Sequence, residues 1–413
     1  MSELNFLHSG GDKVTLTAPA SNPSTNPVFK LPQADGGSGD LLQTDGSGGL
    51  SFVTTHSNPN LAINGAMNVA QRGTSTTSVS ASGYYACDRM RTYCYVGSER
   101  YTVSQETDAP TGSGFTKSFK IQTTTADTTP NTGTFLTFQY SIEGQDLQHL
   151  LKGTSSAKPL TFSFWVKGNT NYTPVAELKD NTNNRINVQT FNVTSSWTKI
   201  VLTYVGDTTG TIDDDNTAGL SLTIWLKASA YYSGGTSPAQ NTWVAQSSHN
   251  IRAALLTFDI AASTSNYFQI TGLKIEVGDT ATSFEHRSFK DELLSCQRYY
   301  CKSYNYGVAP GTNAMVGSIW GRNYDASDSR SANVAVVNFP VTMRDTPNVT
   351  FRGIHSGTAG RWTTGASNPT ASNTDITVNS LYDLGNNGWT SMSTDSIGAS
   401  NFFGGHYEAD AEI

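Results

Sequence analysis

The sequence predicts a mainly β protein: an extended N-terminal β arm, a jelly-roll β-sandwich, a short linker helix and a C-terminal β-sandwich tip. Three observations lead there. Apolar residues alternate with polar ones, or form short continuous runs, between turns rich in Gly, Asn, Asp and Thr, as strands of a sheet do. Charged residues are only 14% of the chain, against about 25% in ordinary soluble domains, and Ser, Thr, Asn and Gly take over the surface. The hydrophobic fraction of 36% still supplies real cores, and 413 residues leave room for several domains.

The arm spans residues 1–58, where KVTLTAPA and VFKLP alternate without any helical period and are separated by Pro and Gly. Within it, LPQADGGSGDLLQTDGSGGLSFV (31–53) carries Leu41, Leu42, Leu50 and Phe52, and its Asp-Gly pair supplies the positive φ of a hairpin turn. A lone hairpin is marginal in water, because ordering the backbone costs about 1–2 kcal/mol per residue and few side chains are buried in return. The segment therefore needs support from outside itself.

Residues 59–287 form the jelly roll. SFKIQTT, GTFLTFQYSI, PLTFSFWVKGN, INVQTFNV, WTKIVLTYVG, LSLTIWLKA and YFQITGLKIEVG read as its strands, and only GQDLQHLLKG looks helical. The linker, 288–302, opens SFKDELLSCQRYYC with Ser288 placed to cap the N–H of Asp291, and puts Phe289, Leu293, Cys296 and Tyr300 on one helical face. The tip, 303–413, holds AMVGSIWGRN, NVAVVNFPVTM, NVTFRGI, DITVNSLYDL and FFGGHYEADAEI as strands. Pro340 and Pro347 should mark edges or bends, since proline cannot donate to a central ladder.

A net charge of −7, with no Lys/Arg cluster, argues against nucleic acid as a partner. No run approaches the length of a membrane helix, and MSELNFLHSGG lacks the basic start and apolar run of a signal peptide, so assembly in a cytoplasm is expected. Cys87 and Cys94, and Cys296 and Cys301, fit neither zinc nor CxxC redox spacing, and an odd separation on a strand points side chains to opposite faces; buried free thiols are expected. The histidines stand singly, without HxH or HExxH. TIDDDNTAG gathers Asp213, Asp214 and Asp215 either as a solvated turn or as oxygen ligands for Ca²⁺, although the spacing is not that of an EF-hand.

A binding role finds more support, because flat aromatic faces pack against the C–H face of a sugar while Asn, Ser and Thr satisfy its hydroxyls. In WLKASAYYSGGTSPAQNTW, Trp225 reads as core or ligand, while Tyr231 and Tyr232 are the better ligand candidates, since consecutive residues cannot both point inward. Trp362 in HSGTAGRWTTGAS and Trp389 in LGNNGWTS lie in glycine-rich surroundings as loop anchors or receptor contacts. Trp165, Trp197 and Trp320 lie within strand patterns and read as packing.

LTAPASNPSTNPVFKLPQADGGSGDLLQTDGSGGLSFV resembles the leading segment of bacteriophage tail-fibre and virion-fibre proteins. NLAINGAMNVAQRGTS, the DRM that follows it, and ITGLKIEVGDTATSFEHRSFKDELLSCQRYYCKSY are similar to the carbohydrate-binding-module-like jelly roll of such fibres, and VNFPVTMRDTPNVTF through YEADAEI resembles their C-terminal tip. The resemblance implies a virion fibre, usually a homotrimer, joined to other virion proteins through its arm and recognising a host surface glycan or protein; with no convincing set of converging acids, nucleophile and base, or metal ligands in the sequence, the chain is read as non-enzymatic. Its arm would be completed by two further copies or by docking to the particle. The chain lacks a long collagen-like or β-helical shaft, which makes the fibre stubby and leaves tail and head open. A decorating capsid fibre without a receptor, and a glycan depolymerase spike, are the rival readings.

Overall fold

A computed structural model describes residues 3–7, 13–17, 30–33, 40–45, 47, 49–54, 59–129, 131–322, 331–332, 336–365, 374–394 and 402–413. They fall into two compact units, Met1–Asn58 and Pro59–Ile413.

The first unit contains two antiparallel hairpins, β1 (Glu3–Leu7) with β2 (Lys13–Thr17), and β3 (Asp40–Thr44) with β4 (Leu50–Thr54). The β3–β4 turn is organised by Asp45, whose carboxylate accepts the N–H groups of Ser47 (2.7 Å) and Gly49 (2.8 Å). Those backbone donors hold its pKa below the usual carboxylate range. Gly46, on which the positive φ was expected, lies outside the described residues, as do Val28 and Phe29 of VFKLP; Lys30 makes a single parallel bridge to Gly49. Leu31, Leu41, Leu42 and Phe52 remain exposed, so the hairpin buries little of its own apolar surface.

The second unit begins with a sandwich of two antiparallel sheets. Its strands are β5 (Ser75–Val79), β6 (Gly83–Tyr84), β7 (Arg91–Tyr95), β8 (Arg100–Glu106), β9 (Ser118–Thr125), β10 (Phe135–Glu143), β11 (Leu160–Gly168) and β12 (Val175–Asp180). They continue with β13 (Arg185–Thr190), β14 (Thr198–Tyr204), β15 (Ala218–Ala228), β16 (Val244–Ala245) and β17 (Tyr267–Val277). The front sheet runs β16-β13-β12-β15-β10-β7-β6 and the back sheet β14-β11-β17-β9-β8-β5. Alternation decides the core: Leu136, Phe138, Tyr140 and Ile142 of β10 and Leu220, Leu222, Ile224 and Leu226 of β15 point inward. They meet Phe162, Phe164 and Val166 of β11 and Phe268, Ile270, Leu273 and Ile275 of β17. The step from Ile270 to Leu273 breaks period two, and a bulge in the β11–β17 register, with Gly272 at φ +64°, absorbs the extra residue.

The segment NLAING locks onto this core by side-chain hydrogen bonds. Asn60 Nδ2 donates to the Leu273 carbonyl (3.0 Å), while its Oδ1 accepts from Ile275 N–H (2.8 Å) and Ala62 N–H (2.9 Å). A Cβ at Gly65 would come within 2.0 Å of the Leu273 oxygen, so only glycine permits this approach. GQDLQHLLKG forms a 3-10 helix, Gly144–Leu150. All four cysteines are buried and free.

The expected cap is present at the linker. Ser288 Oγ accepts from Asp291 N–H (3.2 Å) and donates to the Asp291 carboxylate (2.6 Å), starting a helix at Phe289–Gln297. The helix stops at Gln297, and Tyr300–Lys302 is instead β18, an edge strand of the next sheet.

That sheet continues with β19 (Ile319–Arg322) and β20 (Ser331–Ala332); β21 (Val337–Asn338) follows outside it, and β22 (Asn348–Gly353) and β23 (Arg361–Gly365) return to it. It is completed by β24 (Thr374–Tyr382), β26 (Ser391–Thr394) and β27 (Phe402–Asp410), while β25 (Gly388–Trp389) pairs with β21 as a separate two-stranded ribbon. β27 is its central strand, hydrogen-bonded to β18, β19, β22 and β23. Pro340 and Pro347 both lie outside strands. The core here is aromatic: Phe339, Phe351, Trp362, Trp389, Phe403 and Tyr407.

Buried ion pairs fasten the C-terminus to the sandwich. Arg89 pairs with Glu412, donates to the Ser141 carbonyl (2.9 Å) and lies over the Tyr299 ring at 3.5 Å. Arg72 reaches Asp410 (3.0 Å), Glu412 (3.3 Å) and Asp88 (3.8 Å), and lies over Tyr300 at 3.6 Å. Burial pushes the Asp88 carboxyl up to about 6, against the pull of Arg72 and of the Gln71 donors. Glu143 completes the junction by accepting from Arg298 (2.8 Å) and from the Tyr299 hydroxyl. Charges taken out of water this way hold only while each keeps its partner.

Candidate functional site

Alternation sends every second residue of the front sheet away from the core, and the strand register lines these residues up in rows. Tyr84, Arg91, Gln139, Thr223, Glu177 and Val188 stand in one row, one per strand. Tyr93, Thr137, Trp225 and Val175 form the row on one side, and Ser141, Ser221, Lys179 and Ile186 that on the other. Tyr84, Arg91, Tyr93, Gln139 and Lys179 are half-buried, while Thr137, Thr223 and Glu177 form a buried floor.

The Arg91 guanidinium lies over two aromatic rings, 4.7 Å from the centre of Tyr93 and 6.0 Å from that of Tyr84. Its Nη1 donates to Gln139 Oε1 (3.1 Å), and Gln139 Nε2 reaches Thr223 Oγ1 (3.4 Å). A planar guanidinium and a carboxamide fixed side by side can donate to and accept from neighbouring hydroxyls of one sugar, while the tyrosines offer apolar faces to its ring. Burial pushes the Tyr84 hydroxyl pKa up, so it stays protonated and donates to the Ile413 carbonyl (2.6 Å). Burial, with Arg252 adding to it and Glu177 opposing, pushes the Lys179 ammonium pKa down.

The segment 229–256 covers the Glu177 and Val188 end of this row and the residues around it. Its anchor is charged and fully paired: Glu177 accepts the Trp225 indole N–H at 2.8 Å and the Arg252 guanidinium at 2.7 Å and 3.0 Å. Around it pack Phe135, Val175, Ile186, Val188 and Ala253. Trp225 is therefore core. Tyr231 and Tyr232 sit on one helical turn, α1 (Ala230–Ser233), and diverge as expected. Tyr232 turns in, with its ring centre 5.0 Å from Phe135 and 5.2 Å from Trp225, and burial raises its hydroxyl pKa. Tyr231 turns out, 47% exposed, with its ring stacked on His249 at 5.2 Å.

The other candidates from the sequence fare differently. Trp362 and Trp389 are not surface contacts: they are 0% and 1% exposed and form the centre of the tip core. Of the glycines that suggested loops, Gly388 is a seat for backbone, while the Trp362 ring is seated on Gly405, which is distant in sequence. A Cβ at Gly405 would meet the Trp362 ring at 2.2 Å, and one at Gly388 would meet the Val337 carbonyl at 1.8 Å. Trp362 also donates its indole N–H to the His406 carbonyl (3.0 Å). Trp165, Trp197 and Trp320 are half-buried.

Asp213, Asp214 and Asp215 behave as a turn. Asp213 and Asp214 are exposed, and Asp215 uses Oδ1 to accept from the Thr217 N–H (3.0 Å) and hydroxyl (2.7 Å). Their neighbour Asn216 docks on the tip through Arg344, with each residue donating to the other's carbonyl at 2.7 Å. Among the described residues no group of three or more His, Cys, Asp or Glu side chains is placed to hold a metal ion.

Arg91, Tyr93 and Gln139 were missed as candidates. RTYCY and FLTFQYSIE show the alternation that places them on the outer face, but only strand pairing brings them into one row.

No family model matches the chain, and no curated protein matches it. Among solved structures it is similar to a CBM4 domain, at 14% identity over 52% of this chain and 99% of that one, with a TM-score of 0.27. It is similar to the enzymatically active domain of bacteriophage CBA120 tailspike protein 4, at 14% identity over 53% of this chain and 21% of that one, with a TM-score of 0.26. It is also similar to a family 11 carbohydrate-binding module from Clostridium thermocellum in complex with a mixed-linked tetrasaccharide, at 15% identity over 52% and 99%, with a TM-score of 0.24.

Proposed function

We propose that the chain is a non-enzymatic phage virion fibre that binds a glycan on the host surface through the front face of its jelly roll. The observation that carries this reading is the row of Tyr84, Arg91 and Gln139, with Tyr93 beside it, where hydrogen-bonding groups are fixed in place and flanked by aromatic rings. Tyr231, exposed on the neighbouring segment, extends the aromatic surface. On a glycan array, Arg91→Ala and Tyr93→Ala should each weaken retention by about tenfold, the scale of 1–2 kcal/mol per contact. Unchanged retention in both variants, with the fold intact, overturns the placement. Release of reducing sugar from host polysaccharide would overturn the non-enzymatic reading.

The arm acts in this proposal as the attachment and association element of a homotrimer. Leu41, Leu42 and Phe52 are exposed on a hairpin too small to bury them, Leu31 is exposed ahead of it, and neighbouring copies or a virion partner would cover them. Three linked copies raise avidity without new contacts. Light scattering of the full chain should report a trimer. A monomer whose residues 1–58 resist protease would sink this part.

A further inference from the structure

A second concave site lies where the sandwich, the linker helix and the loop after β18 meet. This cleft of about 350 Å³ is lined by Asn68, Thr74, Gln105 and Lys117 on the sandwich side and by Phe289 and Tyr306 opposite. Phe289 and Tyr306 are 48% and 37% exposed, and their rings meet edge to face at 5.1 Å. The tyrosine is fixed: its hydroxyl accepts from Ala70 N–H (2.9 Å) and donates to the Asn68 carbonyl (3.3 Å). The loop behind it is fixed as well, because the buried Lys302 ammonium donates to the carbonyls of Tyr306 (3.0 Å) and Val308 (2.6 Å).

Lys117 is the one charged side chain in the lining, and among the described residues its ammonium has neither an ion pair nor a hydrogen bond. Gln105 donates to the Met67 carbonyl (2.6 Å), and its amide oxygen has no partner among the described residues. An ammonium at the wall of a partly enclosed cleft, without a carboxylate beside it, attracts an anion more strongly than it would in open water. Two exposed rings next to it offer the apolar surface that a sugar ring covers.

We propose that this cleft is a saccharide site for a sugar carrying an anionic group, a carboxylate or a phosphate, with the ring against Phe289 and Tyr306 and the anion at Lys117. The inference rests on the reading of the chain as a glycan binder and names a substrate class at a place separate from the front sheet.

The test uses the full chain, saturation-transfer NMR and calorimetry, with tetragalacturonate as the carboxylate probe, galactose 6-phosphate as the phosphate probe and galactose as the neutral control. At least one acidic probe should bind while galactose does not compete, and the probe that binds identifies the anion. Lys117→Gln should weaken that binding tenfold or more. Gly307→Trp should block it without removing a charge, because a Cβ at Gly307 meets nothing within 4 Å and the side chain can fill the cleft. Arg91→Ala should leave it unchanged. Failure of both acidic probes to bind, or binding that survives both cleft variants, overturns the inference. If glycan-array retention is still lost in Arg91→Ala in that case, the glycan-binding reading stands without the cleft; if it is not, both fall.

Discussion

Glu412→Ala is expected to destabilise the 59–413 unit by about 3–5 kcal/mol, the cost of leaving a buried charge without its partner. Glu412 is 4% exposed and lies between Arg89, which is 1% exposed, and Arg72, which is 11% exposed. Its removal leaves Arg89 with a single neutral acceptor, the Ser141 carbonyl, under the ring of Tyr299. Arg72 keeps Asp410 and Asp88, so the larger part of the loss falls on Arg89. Urea denaturation of the single variant and of Arg89→Met with Glu412→Leu separates the causes. The double variant removes both charges and should recover much of the loss, since an apolar pair in place of a buried ion pair is often neutral or stabilising. Equal destabilisation in both would show that shape, and not unpaired charge, governs the junction.

Trp362→Ala should cost about 3–5 kcal/mol, as emptying a buried aromatic site does. Phe351 and Phe403 pack on the ring at 5.5 Å and 5.9 Å, and Gly405 has no side chain with which to fill the space. Trp362→Phe keeps most of the apolar surface but removes the donor to the His406 carbonyl, and should cost about 1–3 kcal/mol, the price of a buried polar group left unpaired. Thermal denaturation reads both variants. Glycan retention per folded molecule should not change in either, whereas a receptor contact at Trp362 would lower retention at wild-type stability.

Much of the sandwich was legible because its information is local. GTFLTFQYSI and LSLTIWLKA alternate, alternation assigns faces, and the faces are those that the sheets bury. The strands read poorly were short or polar: RTYCY and RYTVSQE contain too few apolar residues to stand out, yet they pair along their length with longer neighbours. The tryptophans of the tip were misread for a related reason. The glycines before Trp362 do mark a turn, Gly357 and Gly360 having φ of +66° and +73°, but the ring is seated against Gly405, 43 residues further on, which no local reading connects to it.

By itself the sequence determined the β class, the alternation that separates inward from outward residues on the long sandwich strands, and the Ser288 cap that starts the linker helix. Each follows from residues within a few positions of one another, where backbone geometry fixes which side chains share a face. Only the tertiary structure decided that Arg89 pairs with Glu412 across 323 residues, that Arg91 and Gln139 stand side by side, and that Phe289 and Lys117 face one cleft. Those pairings depend on strand register and on how distant segments close over one another, and neither leaves a period in the sequence.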